Sequence, residues 1–416
     1  MNDHRSGSNS ADTTLAQNRI TRLATQLPVH RAFHWLHLHE LQLRQWQLEM
    51  LAIPAPPFGE SARAHWFLER FHALGLTNVH LDEEGNALGE LQSEAPATAD
   101  VLLLSAHLDT VFAAGIDTTP REDPPRILGP GACDNAAGLT ALLATIAALR
   151  FAAITPPATI LFAANVGEEG EGDLRGMRHL FLVGPYRGRI HAALALEGSG
   201  TAAVVTRALG SRRFRVTVSG PGGHSWSDAA APNPITLISR AIAALADLPS
   251  LHPHTTDAPR TTFSPGEISG GTSINSIPAS ATVLLDLRST DPGQLVAHTL
   301  EIQRTFESVV ARTPQASLQL ESIGDRPAAE LPEDSSLLHI LRAVDRHLGL
   351  RTELRLGSTD ANLPLSLGIP AAALAAGGTG GGIHTLSEWY DPTGRETALR
   401  RILLTLLDLA HTIATP

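Results

Sequence analysis

The sequence predicts an α/β protein, a helix-flanked and mostly parallel sheet interrupted by an inserted ferredoxin-like α+β domain. Short apolar runs (Val101–Ser105, Thr159–Ala164, Ala192–Leu196) alternate with helical spacing such as Thr140–Leu149. Runs that are continuous rather than alternating mark strands covered on both faces, which places helices on either side of the sheet. From about Ser211 the rhythm becomes β-α-β-β-α-β, and after Ser335 the first style returns. A discontinuous domain of residues 1–209 and 324–416 is therefore expected around an insert of residues 210–323.

Element by element, Met1 to Gln17 is polar and reads as a frayed start, and Ile20 to Leu51 carries helical apolar spacing. The Pro-rich stretch Ile53–Gly59 stops that helix, and a second helix is expected over Ser61–Leu74. Val79–Leu81 and Ala87–Leu91 flank Glu83-Glu84-Gly85-Asn86, the turn chemistry of a hairpin. In the insert, Phe214–Val218, Thr261–Ile268, Ala281–Leu287 and Ser317–Glu321 read as strands, and Pro234–Leu245 and Val296–Arg312 as helices.

Composition removes several classes of function. The chain has 416 residues, 43% of them hydrophobic, which permits large cores, and a net charge of −11 with no cationic run. The electrostatic footprint of a nucleic-acid or anionic-membrane binder is missing, so neither partner is expected. All 31 basic residues are arginine, which excludes Schiff-base and phosphate-loop lysine chemistry. Cys133, the single cysteine, has no partner for an internal disulfide. No apolar h-region or stretch of about 18 apolar residues appears, and the expected location is the cytoplasm.

Five residues stand out because they sit where apolar segments end: His107, Asp134, Glu169, Glu197 and His384. Two imidazoles and three carboxylates are N/O ligands that suit Zn²⁺, Mn²⁺ or Co²⁺. Asp109 follows His107 by two positions, which on an extended backbone puts it on the same face, where it could orient the ring. His80-Leu81-Asp82 repeats the tripeptide on a polar hairpin, where a solvated surface pair is the simpler reading. Asp134 precedes a helix beginning near Gly138 and could equally be its N-cap. The adjacent Cys133 reads as a small packing residue, since no base is paired with it.

Glu168 and Glu169 are neighbours after a strand, so one can ligate while the other faces substrate. Glu197 would cost several kcal/mol to bury unpaired, a cost that a nearby cation removes. His384 follows a glycine run, Gly377-Gly378-Thr379-Gly380-Gly381-Gly382, which permits close backbone approach to a ligand. Ligand sites in such sheets lie beyond the carboxyl ends of the strands, where these residues collect.

The ordered strings Ser105-Ala106-His107-Leu108-Asp109-Thr110, Gly131 to Gly138, Gly167-Glu168-Glu169-Gly170, Leu196-Glu197-Gly198 and Gly382-Ile383-His384 resemble one family of two-zinc hydrolases. It includes tripeptidase T, acetylornithine deacetylase, succinyl-diaminopimelate desuccinylase, aminoacylase and glutamate carboxypeptidase. The resemblance runs from about Ile53 to Tyr390 and implies two divalent ions per chain, zinc or else manganese or cobalt. His107 and Glu197 would hold one and Glu169 and His384 the other, with Asp134 bridging, Glu168 as general base and Asp109 orienting a ligand.

In the insert, Gly222-Gly223-His224-Ser225 and Gly271 to Pro278 resemble the family's lid motifs. By that likeness His224 would polarise the scissile carbonyl, in its own chain or across a dimer interface, and Asn275 and Arg288 would contact substrate. Trp226 departs from the pattern, which often has a small residue there. Gly170–Arg178 and Gly357-Ser358-Thr359-Asp360-Ala361-Asn362 look closest to the tripeptidase-like and aminopeptidase-like members. The expected substrate is a small peptide, with an N-acyl amino acid as the alternative and a non-catalytic metal- or peptide-binding protein as a third reading. A homodimer formed through the lid is implied.

Overall fold

The structure, a computed structural model, describes residues 4–93, 100–248, 251 and 259–415. Contacts divide the chain into two compact units, residues 1–207 with 330–416, and residues 208–329.

The larger unit is built mainly on one sheet. Seven of its nine strands run in the order Thr77–Leu81, Ala87–Leu91, Thr159–Asn165, Val101–His107, Ile190–Leu196, Ala371–Leu374, Ala203–Ala208. The middle four are mutually parallel, Val101–His107 lying between Thr159–Asn165 and Ile190–Leu196, with Ala371–Leu374 beyond the latter. Every residue of Val101–His107 and of Thr159–Asn165 is buried, as continuous apolar runs require. The helix Ala136–Phe151 is buried on all sides as far as Leu149, and accordingly its sequence is apolar all round.

The N-terminus differs from expectation. In place of a frayed start and one helix to Leu51 there are three helices, His4–Ala24, Leu27–Leu38 and Glu40–Leu51. The first extends upstream because Ala16, Ile20 and Ala24 are buried, in a helix packed against Ser336–His347 and Arg395–Ala414. Pro28, in the first turn of the second helix, sets its start. At the second break the His39 ring stacks on Trp35 at 4.3 Å, and its Nδ1 donates to the Trp35 carbonyl at 2.8 Å. Beneath these helices Arg401 and Asp345, both buried, form a bidentate pair at 2.6 and 2.9 Å.

The hairpin Thr77–Leu81/Ala87–Leu91 forms, but His80-Leu81-Asp82 is not a solvated pair. The Asp82 side chain is only 4% exposed and accepts the backbone N–H groups of Glu84, Gly85 and Asn86 at 2.9 to 3.0 Å. Its carboxylate organises the turn, a common use of Asp in that position.

A second, four-stranded sheet of the same unit positions the site. Its order is Thr379–Gly381, Trp389–Asp391, Arg126–Leu128, Arg121–Asp123. The turn of its first hairpin, residues 382–388, carries His384, and the segment leaving Leu128 carries Asp134.

The smaller unit has the sheet order Thr261–Gly270, Ser280–Ser289, Gly210–Ser219, Ser317–Arg326, antiparallel throughout. Numbered by sequence this is 2-3-1-4, the split β-α-β-β-α-β arrangement. Helices Pro234–Ala246 and Pro292–Ala311 pack on it, burying Leu237, Ile238, Phe306 and Val310 with Val216, Val283 and Leu285. Each helix begins with proline after a capping side chain, Asn233 or Asp291, that accepts backbone N–H groups.

Candidate active site

His107 ends its strand fully buried, and its Nε2 lies 3.1 Å from Asp134 Oδ1 and 3.3 Å from Glu197 Oε1. His384 Nε2 lies 3.0 Å from Asp134 Oδ2 and 2.9 Å from Glu169 Oε1. Asp134 thus presents one oxygen to each imidazole. The five residues fall into two groups, His107 with Glu197 and His384 with Glu169, joined by that carboxylate.

Local structure explains how each arrives. Glu197 follows the parallel strand Ile190–Leu196 and is held by its N–H on the Leu374 carbonyl at 2.9 Å. Asn135, not Asp134, caps the helix Ala136–Phe151, accepting from Gly138 N at 3.1 Å. The same amide donates to the Leu196 carbonyl at 2.8 Å and accepts from Gly198 N at 3.2 Å, which fastens the Asp134 segment to the Glu197 turn. Gly138 permits this closeness, since a Cβ there would meet Asn135 Oδ1 at 2.2 Å.

Asp109 departs from the expected geometry. The nearest partner of His107 Nδ1 is the Asp109 carbonyl at 3.0 Å, while the carboxylate stands 3.6 Å away. That carboxylate instead accepts Glu168 N at 3.0 Å and Glu169 N at 2.6 Å. Asp109 therefore orients His107 through its backbone and the two glutamates through its side chain. Glu168 itself is buried beside Glu169.

Sequence reasoning missed two buried acids. Glu388 accepts the N–H groups of Gly131, Cys133 and Asp134 at 2.8 to 2.9 Å. Asp360 accepts Asn165 Nδ2 at 2.8 Å and has its other oxygen buried with no hydrogen-bond partner. Its place in a string singled out for family likeness was the available signal. Cys133 is buried, and burial pushes its thiol up to about 12, so it is a packing residue and not a nucleophile.

Acidic and imidazole groups are concentrated here, and each shifts its neighbours. Burial raises the carboxyls of Glu169 and Glu197 above their ordinary range and pushes Asp360 up to about 7. Burial would likewise raise Asp134, but its bonds to His107 and His384 hold it well below that range. Burial would lower His107, yet Glu197, Asp109 and Asp134 together raise it. Hydrogen bonding to Asp134, aided by the charge of Glu169, raises His384 to about 9. Glu197 Oε2 is buried without a partner. His107, Asp134 and Glu169 each offer an atom within 4.8 Å of the others. A buried carboxylate oxygen without a partner, clustered acids and two imidazoles sharing one carboxylate form a donor set that fits divalent metal.

In the smaller unit, the strand Gly223–His224 pairs with Ser276–Ile277, and Ser225 N donates to the Asn275 carbonyl at 2.9 Å. His224 Nδ1 accepts the N–H groups of Trp226 and Ser227 at 3.2 and 3.4 Å. With Nδ1 an acceptor, the proton of the neutral ring sits on Nε2, which is left as an outward donor. Asn275 Oδ1 accepts Ser273 Oγ at 2.7 Å, and Arg288 Nε is paired with Asp286 at 2.7 Å. Trp226 and Ile274, beside these residues in sequence, are exposed.

The profile of Peptidase family M20/M25/M40 matches residues 103–411, and the chain belongs to that family. A probable carboxypeptidase of Aspergillus clavatus is 30% identical over 241 residues, 54% of this chain and 52% of that protein, so the match spans about half the relative's length. Among solved structures, a tripeptidase of Staphylococcus aureus superposes with TM-score 0.72 at 22% identity, covering 89% of this chain and 99% of its own. Aminopeptidase PepT of Bacillus cereus gives 0.70 at 21%, covering 89% and 98%. The YXEP protein of Bacillus subtilis, described as a dinuclear metal binding peptidase, gives 0.67 at 15%, covering 89% and 98%. At those identities the likeness is one of fold.

Proposed function

We propose that this chain is a metal-dependent hydrolase that cleaves the amide bonds of small peptides. The observation that carries the reading is the sharing of Asp134 between two imidazole–carboxylate groups, one of His107 and Glu197, the other of His384 and Glu169. That ligand set has places for two ions, with zinc the first choice and manganese or cobalt as alternates. Bound there, divalent ions would bring the pKa of a water from about 15.7 towards about 7.

The remaining steps belong to side chains. Glu168, anchored through its N–H on Asp109, would take a proton from the attacking water as its oxygen bonds the carbonyl carbon, and return it to the leaving amine nitrogen as the C–N bond breaks. Asp109 keeps His107 in one orientation through the Nδ1 to carbonyl contact, which leaves Nε2 as the ligating atom. His224, with its donor on Nε2, would hydrogen-bond the oxyanion of the tetrahedral intermediate. Asn275 and Arg288 would bind the substrate's free terminus, Arg288 keeping guanidinium donors beyond the one on Asp286. The family likeness supports action of this lid in a homodimer. The lone buried thiol fits a reducing compartment, and no helix among the described residues is long and apolar enough to cross a membrane.

The decisive test is Glu168→Gln. Metal content should stay at the wild-type level while kcat on di- and tripeptides falls by about 10²- to 10⁴-fold. Hydrolysis at the wild-type rate would remove Glu168 from the mechanism. The same assays on N-acetyl and N-succinyl amino acids decide between peptidase and deacylase.

A further inference from the structure

We propose that Glu388 is a positioning residue that sets the metal affinity of the site, by making the segments of Asp134 and His384 a single body; this rests on the metal-dependent reading above. The glutamate is completely buried, and nothing in the proposed chemistry uses it. Its two oxygens take three backbone N–H groups of one short segment: Oε2 accepts Gly131 at 2.9 Å, and Oε1 accepts Cys133 and Asp134, each at 2.8 Å. The backbone repeats the link, Gly129 N donating to the Glu388 carbonyl at 2.9 Å.

Chain position gives this clamp its meaning. Glu388 lies four residues after His384, in the turn between Thr379–Gly381 and Trp389–Asp391, and the latter strand pairs with Arg126–Leu128. The segment it grips, residues 129–134, has no helix or strand hydrogen bonds of its own to fix it. Two sites on that segment are tight. A Cβ on Gly131 would meet Thr110 Cγ2 at 2.8 Å, and one on Gly380 would meet Cys133 Sγ at 2.5 Å. The segment is thus closely seated, and the carboxylate is what satisfies its inward N–H groups.

Burying a carboxylate is costly, and burial does raise Glu388 above the ordinary range despite the three donors. Glutamine would satisfy the segment less well, since one carbonyl oxygen would face three donors and the amide would turn an N–H towards another N–H. Only an acid accepts on both oxygens. Displacing Asp134 by a few tenths of an ångström would disturb both ligand groups at once, because each imidazole shares that carboxylate. Residues that hold ligands in this indirect way change metal affinity by roughly 10- to 100-fold.

The test compares wild type, Glu388→Gln and Glu388→Asp by chelator competition with Zn²⁺ and Co²⁺, alongside elemental analysis and the visible spectrum of the cobalt-loaded protein. Glu388→Gln should weaken metal binding by about 10- to 100-fold and alter the cobalt spectrum, with kcat largely recovered once metal is saturating. Glu388→Asp, which keeps two acceptors on a shorter arm, should fall in between. Wild-type metal affinity in a folded Glu388→Gln protein would overturn the proposal, as would a fall in melting temperature with no change in metal affinity. Should Glu388→Gln not fold, Glu388→Asp carries the same comparison. Failure of the wild-type protein to bind divalent metal would instead overturn the function proposed above.

Discussion

At the scale of single residues, His384 is the point where pH enters. Its imidazole is raised from about 6.5 to about 9 by the hydrogen bond to Asp134, with the charges of Glu169 and Asp134 adding to it. The folded value lies above the unfolded one. Protonation therefore stabilises the ion-free protein fully below pH 6.5, and that contribution is lost as pH rises through about 9. A metal ion held by His384 would need the ring unprotonated, so its binding at neutral pH would expel a proton. Metal affinity should climb steeply with pH over that window, and calorimetry in buffers of different ionisation enthalpy should register the released proton. A heat of binding independent of buffer would contradict the ligand role of His384.

Among individual residues, the carboxylates and imidazoles at strand ends were legible in the sequence because a charged group closing an apolar run has few inexpensive fates. Glu388 and Asn135 were not legible. Both act on backbone groups brought to them by tertiary folding, Asn135 on Leu196 and Gly198 beyond its local cap, Glu388 on a segment more than 250 positions away in sequence. Asp109 was half legible: its adjacency to His107 could be read from spacing, but its carboxylate's preference for the Glu168 and Glu169 N–H groups could not.

At the scale of elements, the strands under the site were readable because strands buried on both faces have no polar alternation to obscure them. The N-terminal helices were not, since apolar spacing runs on through the breaks at Gln26 and His39. Pro28 and the His39 ring, and not periodicity, mark those breaks. The layer they cover includes the pair of Arg401 in Arg395–Ala414 and Asp345 in Ser336–His347, fully buried. Arg401→Met would leave Asp345 charged and enclosed, with Thr352 as its remaining side-chain partner. A loss of about 3 to 5 kcal/mol in unfolding free energy is expected, measured by urea denaturation. A change within half a kcal/mol would show that water or a rearranged partner reaches Asp345.

At the scale of the whole molecule, each unit has its own core and its own sheet, and all five ligand candidates lie in the larger one. Ions that bind the folded larger unit stabilise it by mass action and leave the other unaffected. In scanning calorimetry, a chelator should lower the transition of the larger unit and leave that of residues 208–329 in place. A single transition that moves as a whole would mean that the units unfold together. In the sequence, the rhythm changes near Ser211 and returns after Ser335, since an α+β pattern differs from that of a parallel sheet.

Ala371–Leu374 follows the other parallel strands in sequence with the whole smaller unit between, yet it occupies an interior place, parallel to Ile190–Leu196 on one side and antiparallel to Ala203–Ala208 on the other. A nascent chain halted before it therefore has an open seam through the middle of its main layer, and the Glu197 N–H has lost its anchor on Leu374. Unpaired strand edges of that kind invite pairing with other chains.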